Sequence, residues 1–151
     1  MPETAPTHLP ERKTESVLKA IIDALSLGIT AYCRFDDADD VDASRILILC
    51  EDATPEIIGE TVTGNWTLEA QITVKTMRAD VTGAAHDAMV AKISDVLFSS
   101  DIVSQLNGAG VEEFTAFSAY PGARRNSISD EQRETAQRVT IYMMPSSSSE
   151  E

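Results

Sequence analysis

From Trp66 to Val74 the chain reads Trp-Thr-Leu-Glu-Ala-Gln-Ile-Thr-Val, so that Trp66, Leu68, Ala70, Ile72 and Val74 alternate with Thr67, Glu69, Gln71 and Thr73. Successive side chains of a strand point to opposite faces, and this segment therefore predicts a strand with one apolar and one polar face. Helical spacing replaces period two soon afterwards, at Met89, Ile93, Val96 and Leu97, which predicts an amphipathic helix from about Thr82 to Phe98. An earlier helix is expected from Glu11 to Leu25. Val17, Leu18, Ile21, Ile22 and Leu25 recur on one side of it, while Lys13, Glu15, Lys19 and Asp23 are expected to face water. Gly28 ends that helix and admits a strand from Ile29 to Phe35.

Arg45–Cys50 (Arg-Ile-Leu-Ile-Leu-Cys) is apolar on both faces. Such a run predicts a strand buried on both sides, in the centre of a sheet or against another subunit. Glu51–Gly64, with Pro55, Gly59 and Gly64, reads as a connection, and Ser99–Gly110 as a break with one helical turn at Asp101–Leu106. Val111–Tyr120 and Gln137–Met144 are the last two strands, joined by a long loop from Pro121 to Ala136. The order α-β-β-β-α-β-β predicts an α+β fold, a mainly antiparallel sheet of about four to five strands with helices packed on one face. Residues 1–10, with Pro2, Pro6 and Pro10, read as a flexible arm, 11–145 as a single domain, and 146–151 (Ser-Ser-Ser-Ser-Glu-Glu) as a disordered, solvated tail.

Charge changes the picture. Twelve Lys and Arg against 25 Asp and Glu leave a formal charge of −13 in 151 residues. Such a surface repels phosphate backbones and anionic lipid, which argues against sequence-independent nucleic-acid binding. It serves solubility, and it also suits a surface that DNA slides past. No apolar run approaches the roughly twenty residues needed to span a bilayer.

Chemistry is sparse. The cysteines are Cys33 and Cys50. A hairpin centred near Asp40 would set Cys33 opposite Leu47, away from Cys50, so two small buried thiols are expected rather than a disulfide. Asp36, Asp37, Asp39, Asp40 and Asp42 crowd one loop. Counted from Asp37, the sixth and twelfth positions hold Asp42 and Ile48 where a calcium loop needs Gly and Glu. That loop is expected to face solvent or a channel, and no metal or cofactor site is predicted. The histidines are His8 and His86. His86, Asp87 and Ser118 form a triad only on paper, with no nucleophile elbow to support it, and His86 is expected on a helix surface. No catalytic residue is nominated. Arg124, Arg125, Arg133 and Arg138 are the basic group of an acidic chain. They are candidates for contact with a partner or another copy; the alternative is a solvated loop whose charges are balanced by Asp130, Glu131 and Glu134.

With a helix of the Ser16–Leu25 kind, a strand of the Trp66–Thr76 type, a helix like Ala84–Leu97 and a closing strand of the Arg138–Met144 type, the layout over Glu11–Pro145 resembles the tail terminator, or tail-completion, family of long-tailed bacteriophages. Thr-Ala-Gln-Arg-Val-Thr-Ile-Tyr (Thr135–Tyr142) is the most similar piece. The resemblance implies a structural virion protein, made in the host cytoplasm and placed at the head–tail interface. It implies a homo-oligomeric ring, usually a hexamer, that caps the tail tube and joins it to the head connector or stopper. DNA only passes through the channel of such a ring, and the family has no catalytic residues, cofactor or membrane contact. The Asp36–Asp42 loop and the Ser/Glu tail depart from the pattern, so no contact residue is carried over. Alternatives are another joining protein, such as a connector stopper or a tail-tube-like subunit, and a small α+β ligand-binding domain or enzyme. A deep pocket around His86 would favour the last.

Overall fold

The computed structural model describes residues 9–33, 43–108 and 114–145. Helix α1 (Pro10–Asp23) starts on a proline, at a position where no helical N–H is required, and buries Val17, Leu18, Ile21 and Ile22. It is followed by β1 (Thr30–Cys33), β2 (Arg45–Ile58), β3 (Thr61–Met77), α2 (Gly83–Leu97), α3 (Ile102–Gly108), β4 (Phe114–Ile128) and β5 (Gln132–Pro145). The strands form one sheet in the order β1-β2-β3-β5-β4. β1 runs parallel to β2, and every other pair is antiparallel. The fold is α+β, with α3 where one helical turn was expected.

One face of the sheet carries the core. Ile46, Ile48 and Cys50 of β2, Leu68, Ala70, Ile72 and Val74 of β3, and Val139, Ile141 and Met143 of β5 pack with Leu18, Ile21, Ile93, Leu97, Ile102 and Leu106 from the three helices. The period-two face of β3 is thus the face the helices cover, and burying each large side chain contributes about 1.5–3 kcal/mol. Met89 and Trp66 are only partly buried at the margin.

Four expectations are corrected. Glu51–Gly64 is no connection: β2 and β3 run on to a turn at Gly59-Glu60, where Gly59 takes a positive φ of 65°. Beyond Ile48, β2 has no partner on its outer side among the described residues, and such an edge tolerates Pro55. Pro121–Ala136 is likewise no long loop. β4 continues to Ile128 and β5 begins at Gln132. Residues 122–131 are exposed, so no apolar alternation marks this part of the hairpin, and backbone pairing alone extends it. Cys33 lies beside Ile48 in a parallel pair, not opposite Leu47 in a hairpin, although both thiols are free and buried as expected. Glu15 does not face water. It is 2% exposed, and its Oε2 accepts the Cys50 N–H at 2.8 Å and an Arg12 N–H at 2.8 Å.

Asp36, Asp37, Asp39, Asp40 and Asp42 lie outside the described residues, as do residues 1–8 and the Ser/Glu tail.

Candidate interaction surface

Because the helices occupy one side, the other side of the sheet is bare among the described residues. Alternation places Leu47, Leu49 and Glu51 there from β2, Gln71 and Thr73 from β3, and Glu134, Ala136 and Arg138 from β5. These side chains, with Ala123, Arg124 and Arg125 of β4, line two adjoining depressions of about 380 and 450 Å³. The register of β4 against β5 shifts at Ala116/Ser118 and again at Pro121/Arg124. Bulges of this kind bend an edge strand and re-aim its side chains.

The four arginines singled out from the sequence separate here. Arg125 and Arg138 flank one depression, with Glu134 as its single carboxylate, while register sets Arg124 opposite Gln137 on the helix face. The side chain of Arg124 is anchored, its Nε donating to Gln137 Oε1 at 2.9 Å and its Nη2 to Ser94 Oγ of α2. Arg138 Nη2 lies 3.7 Å from Glu51 Oε1, a partly exposed pair worth at most about 1 kcal/mol. Arg125 is exposed. Arg133 belongs elsewhere: its Nη1 donates to the Val81 carbonyl at 3.0 Å and braces the start of α2. The result is a cationic hollow on an acidic protein.

Beside it, Phe117, Tyr120 and Tyr142 form an aromatic cluster, with ring centroids 6.1 and 6.0 Å apart and the two tyrosine hydroxyls 3.0 Å apart. The bond to Tyr120 pushes the Tyr142 hydroxyl above its ordinary pKa.

His86 was expected on a helix surface and is instead 3% exposed. It sits in the first turn of α2, whose N-cap Thr82 accepts the Ala85 N–H at 3.1 Å. Thr135 Oγ1 donates to Asn126 Oδ1 at 2.8 Å, which spends its only proton. The 2.9 Å contact to His86 Nε2 must therefore be an N–H from the ring, and Nδ1 must accept from Thr76 Oγ1 at 2.7 Å. This is a neutral imidazole with both nitrogens engaged. Burial pushes its pKa below the ordinary value, with Arg133 adding to that effect and Asp87 opposing it. The hollow next to it, lined by Asp87, Asn126, Ile128 and Thr135 among others, is open and measures about 230 Å³. Ser118 lies on β4 opposite Tyr142, away from this network.

Cys50 has its thiol pushed up to about 12, by burial first and then by Glu15 and Glu11. It is an inert structural group. Among the described residues no three His, Cys, Asp or Glu side chains cluster as a metal site would need, and no helix is long and apolar enough to cross a membrane.

Compared with known proteins, the chain matches no family model and no curated sequence.

Proposed function

We propose that this chain is a structural subunit of the tail-terminator kind, closing into a homo-oligomeric ring that caps a phage tail tube and joins it to the head connector or stopper. The bare sheet face carries this reading, since a cationic hollow and exposed edge-strand segments suit contact with protein rather than with a small molecule. A sheet edge can pair with another chain, and β4 is an edge strand whose far part, Ala123–Ile128, is exposed, while Asn107 holds the Ala116 backbone nearer its start. The acidic surface fits a channel that DNA crosses without adhering. The ring size of such an assembly, a hexamer by resemblance, is part of the proposal.

The ligand-binding or enzyme reading rests on the hollow at His86. That hollow is smaller than the 300–1,000 Å³ usual for ligand pockets, and both ring nitrogens already hold threonine hydroxyls. A stopper or tube-like subunit would share the surface described here and differ in partner.

Light scattering on the purified chain, alone and mixed with tail tubes, tests the proposal. A ring-sized mass, or density at the tube ends by negative-stain microscopy, is the expected result. Arg124→Glu with Arg125→Glu should weaken assembly more than Asp39→Ala with Asp40→Ala. A monomer that ignores tubes at every concentration would sink the reading.

A further inference from the structure

β5 accompanies β3 only from Met77 to Trp66, and β1 covers β2 only over Arg45–Ile48. Residues 56–65 of the β2–β3 hairpin therefore project past the body as a two-stranded arm. Its ladder runs from Pro55 opposite Trp66, across a register shift, to Ile57 opposite Val62 and Ile58 opposite Thr61 at the turn. Side chains lock one face: Glu56 Oε1 accepts from Thr63 Oγ1 at 2.7 Å and from Asn65 Nδ2 at 3.0 Å. At its root Gly64 has a positive φ of 94°, and a Cβ there would meet Pro145 Cγ at 3.1 Å.

The other face is apolar. Val62 and Trp66 continue the alternation of Leu68, Ala70, Ile72 and Val74, so this is the core face carried beyond the reach of the helices. Ile57 is 58% and Val62 63% exposed, with Ile58 at the turn 65% exposed. An isolated two-stranded ribbon is marginal in water, and a cross-strand apolar pair at its end gains stability once another surface covers it.

Charge says what that surface is. Residues 56–65 hold Glu56 and Glu60 and no Lys or Arg, with Asp52 at the root, whereas 119–126 of β4 hold Arg124 and Arg125 and no carboxylate. The acidic arm extends from β2 and β3, and the cationic hollow lies between β3, β5 and β4 on the bare face. Two different patches on one chain make a heterologous contact, which repeats in one direction and closes when the rotation allows. We infer that the β2–β3 arm of each copy docks on the Arg125–Arg138 hollow of a second copy, with its Ile57–Val62 face buried against that neighbour. The inference rests on the ring reading above and names the contact that would close it.

The test uses the full chain and its assembly midpoint by light scattering, with and without tail tubes. Ile57→Ser with Val62→Ser alters only exposed positions, and an unchanged thermal melt establishes that the fold is intact. That variant, and Glu60→Arg or Arg125→Glu singly, should each raise the midpoint concentration at least about tenfold. Glu60→Arg combined with Arg125→Glu should return it to within about threefold of the parent, as expected for charges that face each other. If the parent assembles and the Ile57→Ser, Val62→Ser variant does so at the same concentration, the arm is not the contact, although the ring reading stands. If the swapped pair is no better than the worse single variant, the hollow is not its dock. A parent that stays monomeric with tubes present removes both readings.

Discussion

The two halves of β3 obey the same rule and end in opposite environments. From Leu68 to Thr76 every second residue is at most 2% exposed beneath the helices, while Val62, on the same face of the same strand, is 63% exposed. Apart from Gly64 and the register shift beside it, nothing in the local pattern separates them. Periodicity reports which side chains share a face, whereas cover comes from other elements, and here the helices stop short of the arm. An apolar face that the described residues leave open is a physical reason to look for a partner.

The largest effect should come from the covered half. Replacing Ile72, 1% exposed, with Ala should cost about 2–5 kcal/mol in denaturant melts; a loss below about half a kilocalorie would place Ile72 outside the core.

Next comes the point where α1 meets β2 at the root of the arm. Glu15→Ala leaves the buried Cys50 N–H without its acceptor and should cost about 1–3 kcal/mol. Glu15→Gln keeps an oxygen there and should cost less. Equal losses in the two variants would show that the hydrogen bond is not what Glu15 supplies.

At the opposite end of β3, the last buried position of the face is Thr76, which meets His86 instead of an apolar side chain. The folded pKa of His86 is lowered, so the unfolded chain, titrating near 6.5, takes up the proton first. The stability due to neutral His86 is complete above about pH 6.5 and is lost as the pH falls through the folded pKa. Melts at pH 7.5 and 5.5 should show a decline in the parent that His86→Asn lacks. The same decline in both would move the effect to the carboxylates.

The smallest effect belongs to the open half. Val62→Ala in the monomer should change stability by less than about 0.5 kcal/mol. A loss approaching that of Ile72 would mean the arm is packed in the isolated chain.

Much of this architecture was readable in advance, and the failures share a cause. α1, α2 and the covered part of β3 carry long apolar stripes, so their type and inner faces were legible. The distal hairpins were missed because Arg124, Asn126, Glu56 and Thr63 are exposed polar strand residues, so no apolar alternation marks them as strand. A signal for the arm existed in the β-branched residues Ile57, Ile58, Thr61 and Val62 flanking Gly59-Glu60, the composition of a strand pair about a tight turn. Glu15 and His86 were placed in water because charge and polarity predict exposure only until a partner is available. Those partners, the Cys50 amide 35 residues away and Thr135 49 residues away, are invisible to local spacing. The cationic hollow was half legible: the four arginines stood out, but only register decided that Arg138 joins Arg125 while Arg124 and Arg133 turn toward α2.

By itself the sequence determined the strand and helix faces, the class of fold, the acidic surface and the free thiols, because each follows from the order of polar and apolar groups within one element. Tertiary structure alone decided the parallel placement of β1, the tautomer of His86, the burial of Glu15 and the division between covered and open halves of one strand. Those depend on which distant groups arrive within about 3 Å of each other, a distance at which a hydrogen bond forms or fails.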